Sequence, residues 1–354
     1  MSKQFTYIRT GIFTSSIIII ALMFVANGQI YGGLTQKKEP SFNGATGWIN
    51  TQPLDLTNLR GKVVLIDFWT YTCINWRRTL PYIREWASKY KDQGLVVIGV
   101  HTPEFPFEHR LENIRGAVKE MNITYPLVVD NNFGIWNAFQ NEYWPALYLI
   151  DAKGKIRYQK FGEGDYHESE LQLQQLLKEN SAKNVSDQTI ALQPKGFEAA
   201  ADWENLRSPE NYVGYSRTQG FAFPSEVVAD KQVLYAAPSK LNLNQWGLSG
   251  DWIMGKELLL LSKAPGKIIY RFHARDLHLI MGPSVRGSCI KFHVLIDGKP
   301  PGCAHGLDVD SSGNGTVKEQ RMYQLIRQQG PIIDRSFQIE FSDPKVEVYD
   351  FTFG

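Results

Sequence analysis

The sequence predicts an α/β domain followed by an all-β sandwich, and three observations carry that prediction. Apolar strand-like runs alternate with helix-period patterns through the first half. From about Ser208 onward, short period-two runs are broken by Gly, Pro and Asp-Gly turns. The chain has 354 residues, well above the ~150 that serve as a prior for one domain, so two cores are expected.

At the start, Lys3 and Arg9 precede an uncharged apolar run, Gly11 to Val25, which ends in Ala26-Asn27-Gly28. Residues 1–28 therefore read as a signal peptide or, left uncleaved, as an N-terminal membrane anchor through residues 11–25. The run is shorter than the ~20 residues of a spanning helix, although counting on to Ile30 or Leu34 lengthens it. Either reading places the rest outside the cytoplasm, in the periplasm or cell envelope, secreted or held at the inner membrane.

Residues 41–180 form the expected α/β domain. Val63 to Trp69 is a continuously apolar run of a covered strand, and Leu80, Ile83, Trp86, Ala87 and Tyr90 follow at helical spacing. A strand from Leu95 to Val100, a helix from about Glu108 to Met121, strands at Tyr125 to Val129 and Ala146 to Asp151, a hairpin turn at Asp151 to Lys155 and a helix from Glu168 to Glu179 complete it. Polar, aperiodic residues 181–204 read as a linker. Residues 205–354 carry the alternating runs Ile268 to Phe272, Leu277 to Met281, Ile290 to Ile296 and Phe337 to Phe341.

Lys plus Arg is 38 against 36 for Asp plus Glu; without Lys3 and Arg9 the balance is 36 to 36, so no basic excess recruits nucleic acid. Three cysteines are too few for a disulfide scaffold, and at least one has no partner within the chain. If Asp297-Gly298 is a two-residue turn, Cys289 lies opposite Gly306 and Cys303 opposite Phe292. That offset puts the two sulfurs on opposite faces, beyond disulfide reach.

Cys73 follows an apolar strand and opens a helical pattern, which places its sulfur at a helix N-terminus, with Arg77 and Arg78 one turn on. Both features favour the thiolate, so a lowered thiol pKa is expected.

The run Val64-Leu65-Ile66-Asp67-Phe68-Trp69-Thr70-Tyr71-Thr72-Cys73-Ile74-Asn75-Trp76-Arg77-Arg78-Thr79-Leu80-Pro81 resembles the thioredoxin superfamily, and more closely TlpA-type redoxins and the exported C-terminal region of DipZ-type proteins. Gly99 to Phe105 and Tyr143 to Asp151 extend the resemblance. Leu243-Asn244-Gln245-Trp246, Leu248 to Trp252 and Tyr270 to Leu277 resemble the domain that follows in DipZ-type proteins. The resemblance implies that Cys73 is the attacking cysteine, Asp67 the buried carboxylate assisting proton transfer, Pro145 a cis-proline facing the sulfur and Pro81 a kink in the active-site helix. The departure is Trp76, which stands where a thioredoxin has its resolving cysteine, so this motif cannot form the internal disulfide. His101, at the carboxyl edge of the sheet, is a candidate base, with Glu104 beside it.

In the second domain, Asp308, Asp310, Ser312 and Glu319 fit the ligand positions of a calcium loop, although Gly315 and the Gly- and Pro-rich residues before it depart from that template. A turn-capping hairpin loop without metal is the alternative. Trp246, Trp252, Tyr215, Tyr270 and Tyr323 are candidates for a sugar-stacking platform, since a jelly-roll sandwich after an exported catalytic domain resembles a carbohydrate-binding module; otherwise they are core. No cofactor is expected. Three functions stay open: a single-cysteine thiol oxidoreductase serving an external thiol or disulfide protein, in exchange or antioxidant defence; a non-catalytic binding module for a protein or glycan; and a one-cysteine peroxidase.

Overall fold

The computed structural model describes residues 40–180, 182–222 and 227–354; residues 1–28, with their expected signal or anchor, lie outside the described residues. The first half contains β1 (Gly47–Ile49), β2 (Val63–Trp69), α1 (Ile74–Lys89), β3 (Leu95–His101), α2 (Leu111–Glu120), β4 (Leu127–Val129), α3 (Gly134–Ala138), β5 (Ala146–Ile150), β6 (Ile156–Phe161) and α4 (Tyr166–Glu179). The strands make one mixed sheet in the order β1-β4-β3-β2-β5-β6. Strand β2 is central, parallel to β3 and antiparallel to β5. All seven of its residues are buried, as expected of a run covered by helices on both faces. Edge strand β6 instead alternates half-buried and exposed residues.

The helix expected from Glu108 to Met121 is interrupted. A short 3-10 turn, Pro106–His109, precedes α2, and Arg110 between them is extended. The physical reason is Glu108, whose buried carboxylate accepts hydrogen bonds from the backbone N–H groups of Glu104 and Phe105 at 2.7 and 3.0 Å and from the Thr72 hydroxyl at 2.6 Å. That arrangement fastens the loop after β3 to the one before α1.

The second half contains β7 (Asn211–Tyr212), β8 (Gln232–Tyr235), β9 (Trp246–Met254), β10 (Leu259–Phe272), β11 (Asp276–Pro283), β12 (Ile290–Ile296), β13 (Asn314–Val317), β14 (Arg321–Arg327), β15 (Arg335–Phe341) and β16 (Val346–Phe353). They form a curled antiparallel sheet in the order β13-β12-β15-β10-β16-β11-β14, with β7 on β16, β9 on β10 and β8 on β9. Strand β10 pairs with β16 at Leu259 and Leu260 and with β15 from Gly266 to Phe272, its register against β9 shifting between. Such bulges let one strand serve two faces of a sandwich.

The two halves share a hydrophobic cluster, in which Ile280, Met322 and Tyr349 of the second sheet pack with core residues of the first. Tyr349 meets Phe107 edge-on at 4.8 Å between ring centroids. Arg78, almost fully buried, pairs with Glu163 at 2.9 Å and donates to the Phe353 carbonyl at 3.3 Å, so α1 is tied to the last strand.

Candidate functional site

Cys73 is the N-cap residue of α1, half-buried and in extended backbone conformation. Its thiol points at the carbonyl oxygen of Trp144, 3.9 Å away. The Trp144–Pro145 bond is cis, and the Trp144 indole N–H donates to the Thr102 carbonyl at 3.1 Å, which ties the proline loop to the loop after β3. The sulfur thus lies between a helix N-terminus and the Trp144 carbonyl.

The expected lowering of the Cys73 pKa is corrected. The thiol is pushed well above its ordinary value, first by burial and then by the negative charge of Glu210 and Glu104; the Trp76 and Asn75 backbone N–H groups oppose this only in part. The two arginines do not help, because their charges are committed elsewhere. Arg77 reaches Glu120 at 3.6 Å and stacks on Phe197 at 5.0 Å, while Arg78 is held by Glu163.

Asp67 is fully buried in the middle of β2. One carboxylate oxygen accepts the Trp76 indole N–H at 2.9 Å, and the other has no hydrogen-bond partner. Burial raises its pKa to about 7, the Trp76 bond partly opposing. Trp76 is itself fully buried and stacks on Trp69 at 4.4 Å. The residue in place of a resolving cysteine therefore plugs the space over Asp67. Pro81 lies inside α1.

His101 is corrected as a candidate base. It is the last residue of β3, fully buried between the rings of Trp69 and Tyr71, and neither ring nitrogen has a hydrogen-bond partner. Burial lowers its pKa to about 3, so it stays neutral. It packs and does not titrate near neutrality.

The residues of the calcium template are dispersed into other duties. Asp308 is paired with Arg321 at 2.6 Å and accepts the Gln324 N–H at 2.8 Å. Asp310 caps its own turn through the N–H groups of Ser312 and Asn314 at 2.9 and 2.8 Å. Among the described residues no group of three or more His, Cys, Asp or Glu side chains converges to hold a metal. The sugar platform is corrected as well: Trp246, Trp252, Tyr270 and Tyr323 are buried in the core, leaving Tyr215 exposed alone of the five. The Asp297-Gly298 turn is present, with Ile296 and Lys299 exchanging backbone hydrogen bonds. Phe292, however, lies opposite Gly315 and Phe341 rather than Cys303, because the chain leaves the strand at a short turn, Gly302–Ala304. Cys289 and Cys303 are free and exposed.

Sequence reasoning missed the second domain's share of this site. Tyr212 donates a short hydrogen bond to Glu104 and lies 3.3 Å from Glu210. Arg217 is 3.5 Å from Glu104 and covers the Tyr212 ring at 3.3 Å. Asp350, directly across from Tyr212 in the β7–β16 pair, is fully buried. No local motif marks these residues.

Two family models match the chain: the AhpC/TSA family over residues 35–159 and the thioredoxin-like C-terminal domain over residues 208–354. The chain is 37% identical over 267 residues to the protein DipZ of Mycobacterium tuberculosis, covering 74% of this chain and 36% of DipZ. It thus spans about a third of that relative's length. It is 32% identical over 123 residues to the thiol-disulfide oxidoreductase YkuV of Bacillus subtilis, covering 35% of this chain and 82% of YkuV. A solution structure of a thioredoxin-like protein in the oxidized form superimposes at a TM-score of 0.37 and 31% identity, over 40% of this chain and 95% of the other.

Proposed function

The chain belongs to the thioredoxin-like redoxins, and from that premise we propose that it is an exported thiol oxidoreductase working through the single thiol of Cys73. The observation that carries this reading is the position of Cys73 at the head of α1, facing the cis Trp144–Pro145 bond, with Trp76 in place of a second cysteine. Cys73 is the nucleophile, Pro145 presents the peptide edge to a substrate, and Asp67, Trp76 and Arg77 shape the surroundings. The mixed disulfide formed on Cys73 is resolved by an external thiol protein. Residues 41–180 are the redox domain, 181–204 the linker and 205–354 the second domain, and export rests on the pattern of residues 1–28.

Incubation of the full chain carrying Cys289→Ser and Cys303→Ser with oxidised glutathione, followed by mass spectrometry of the intact chain, tests this. A glutathione adduct on Cys73, absent from Cys73→Ser, is the expected result. No adduct anywhere between about pH 6 and 9 would overturn the reading. The suppressed ionisation of the thiol favours one other reading, a non-catalytic binding module, in which Cys73→Ser leaves partner binding intact. Catalytic peroxide consumption with an added thiol would identify a one-cysteine peroxidase instead.

A further inference from the structure

We propose that the cleft between α2 and the second domain binds a small organic anion, with a carboxylate or phosphate group on the Arg77 guanidinium and an apolar part against Phe197 and Met322. The inference goes beyond the thiol chemistry and does not require Cys73 to react.

The cleft has a volume of about 720 Å³, within the ~300–1,000 Å³ usual for ligand sites, and draws its lining from both halves of the chain. Part of its wall is apolar, with Met121 and Met322 buried and Phe197 half-buried. Arg77 lines the same cleft. Its side chain is only 11% exposed, and its Nε is fully buried with no hydrogen-bond partner. The exposed Glu120 offsets its charge at 3.6 Å, beyond ordinary hydrogen-bond length. The Phe197 ring, 5.0 Å from the guanidinium, offers the cation a π face but no oxygen. The donors of a largely buried guanidinium are therefore left unmatched, which is costly, and a carboxylate or phosphate would engage two of them at once.

The charge around Arg77 favours the same ligand. Six cationic side chains line the cleft against three carboxylates, and two of those carboxylates, Glu112 and Glu120, already face Arg286 and Arg77. Arg110, Lys119 and Lys318 are exposed and form no ion pair among the described residues, against the single remaining acid, Glu319. Arg321 is answered by Asp308 at 2.6 Å and adds a like charge beside Arg77. An incoming anion thus meets an excess of positive charge at the rim and an unmatched donor fork inside it.

Isothermal titration calorimetry of the full chain at about 20 mM salt tests this, with phenyl phosphate and benzoate as anionic probes and benzyl alcohol as the neutral one. Saturable binding of at least one anion is expected, with a dissociation constant of about 1 mM or tighter, and the tighter of the two identifies the group that Arg77 reads. Arg77→Gln should weaken that binding at least about tenfold. Gly116→Phe should abolish it by occupying the cleft: Gly116 lies inside α2 in the cleft wall, and a Cβ there would meet no atom within 4 Å. Both variants should keep the melting temperature of the parent chain. No saturable binding of either anion, equal binding of benzyl alcohol, or binding that survives Gly116→Phe or a folded Arg77→Gln overturns the proposal. None of these readouts uses the thiol, so the outcome is independent of the glutathione experiment.

Discussion

Replacing Asp67 by Asn isolates the cost of a buried carboxyl. The folded chain holds Asp67 at a pKa of about 7, against 3.8 for the exposed group. Below about pH 4 both states are protonated and the group contributes nothing. Between about 4 and 7 the folded state keeps a proton the unfolded state has lost, so stability falls as pH rises through that window; above 7 the full cost is present. A gap of about three units corresponds to about 4 kcal/mol. Asn retains an oxygen acceptor for the Trp76 indole, and its NH2 is no worse placed than the proton of a neutral Asp67 beside an unpartnered position. Urea denaturation of both chains at about pH 4.5 and 8.5 is the assay. His101 and His278, both lowered to about 3 by burial, contribute the opposite slope, stability lost as pH falls below about 6.5, but they cancel in the difference between the two chains. Asp67→Asn should stabilise by about 1 kcal/mol at the lower pH and by about 3–4 kcal/mol at the higher. An equal effect at both values, or destabilisation at pH 8.5, would refute the argument.

Trp76→Ala removes a fully buried indole and its stack on Trp69, and should cost about 3–5 kcal/mol in the same titration; Trp76→Phe should keep most of the stack and lose about 1–2 kcal/mol. Arg78→Met strands the largely buried Glu163 and should destabilise by about 3–5 kcal/mol, with Glu163→Gln in the same chain recovering much of the loss. Gly99→Ala should cost about 1–3 kcal/mol, read as a lower melting temperature, because its Cβ would sit 2.4 Å from Leu127 and 2.9 Å from the Trp69 indole nitrogen.

Much of the fold was legible because its signals are local. Val63 to Trp69 declares a covered strand through its own unbroken apolar run, and β12 declares a half-covered one by alternating buried residues with more exposed ones. Cys73 at the head of α1 follows from a strand running straight into a helical period. The helix break at Arg110 was not legible, since it depends on Glu108 meeting Thr72 across a loop. The calcium template failed for a similar reason: its spacing is intact, but Asp308 belongs to Arg321.

The sequence by itself determined the covered strand from Val63 to Trp69, the place of the thiol at the head of the helix that follows it and the absence of a second cysteine at Trp76. The tertiary structure alone decided how that thiol ionises. The helix N-terminus and two arginines read as activating until folding pairs those arginines with Glu120 and Glu163, buries the thiol and sets against it the negative charge of Glu210 from a distant part of the chain. Periodicity records which face of each element is buried. Desolvation and Coulomb energy depend on what is packed against that face, and only the assembled chain supplies it.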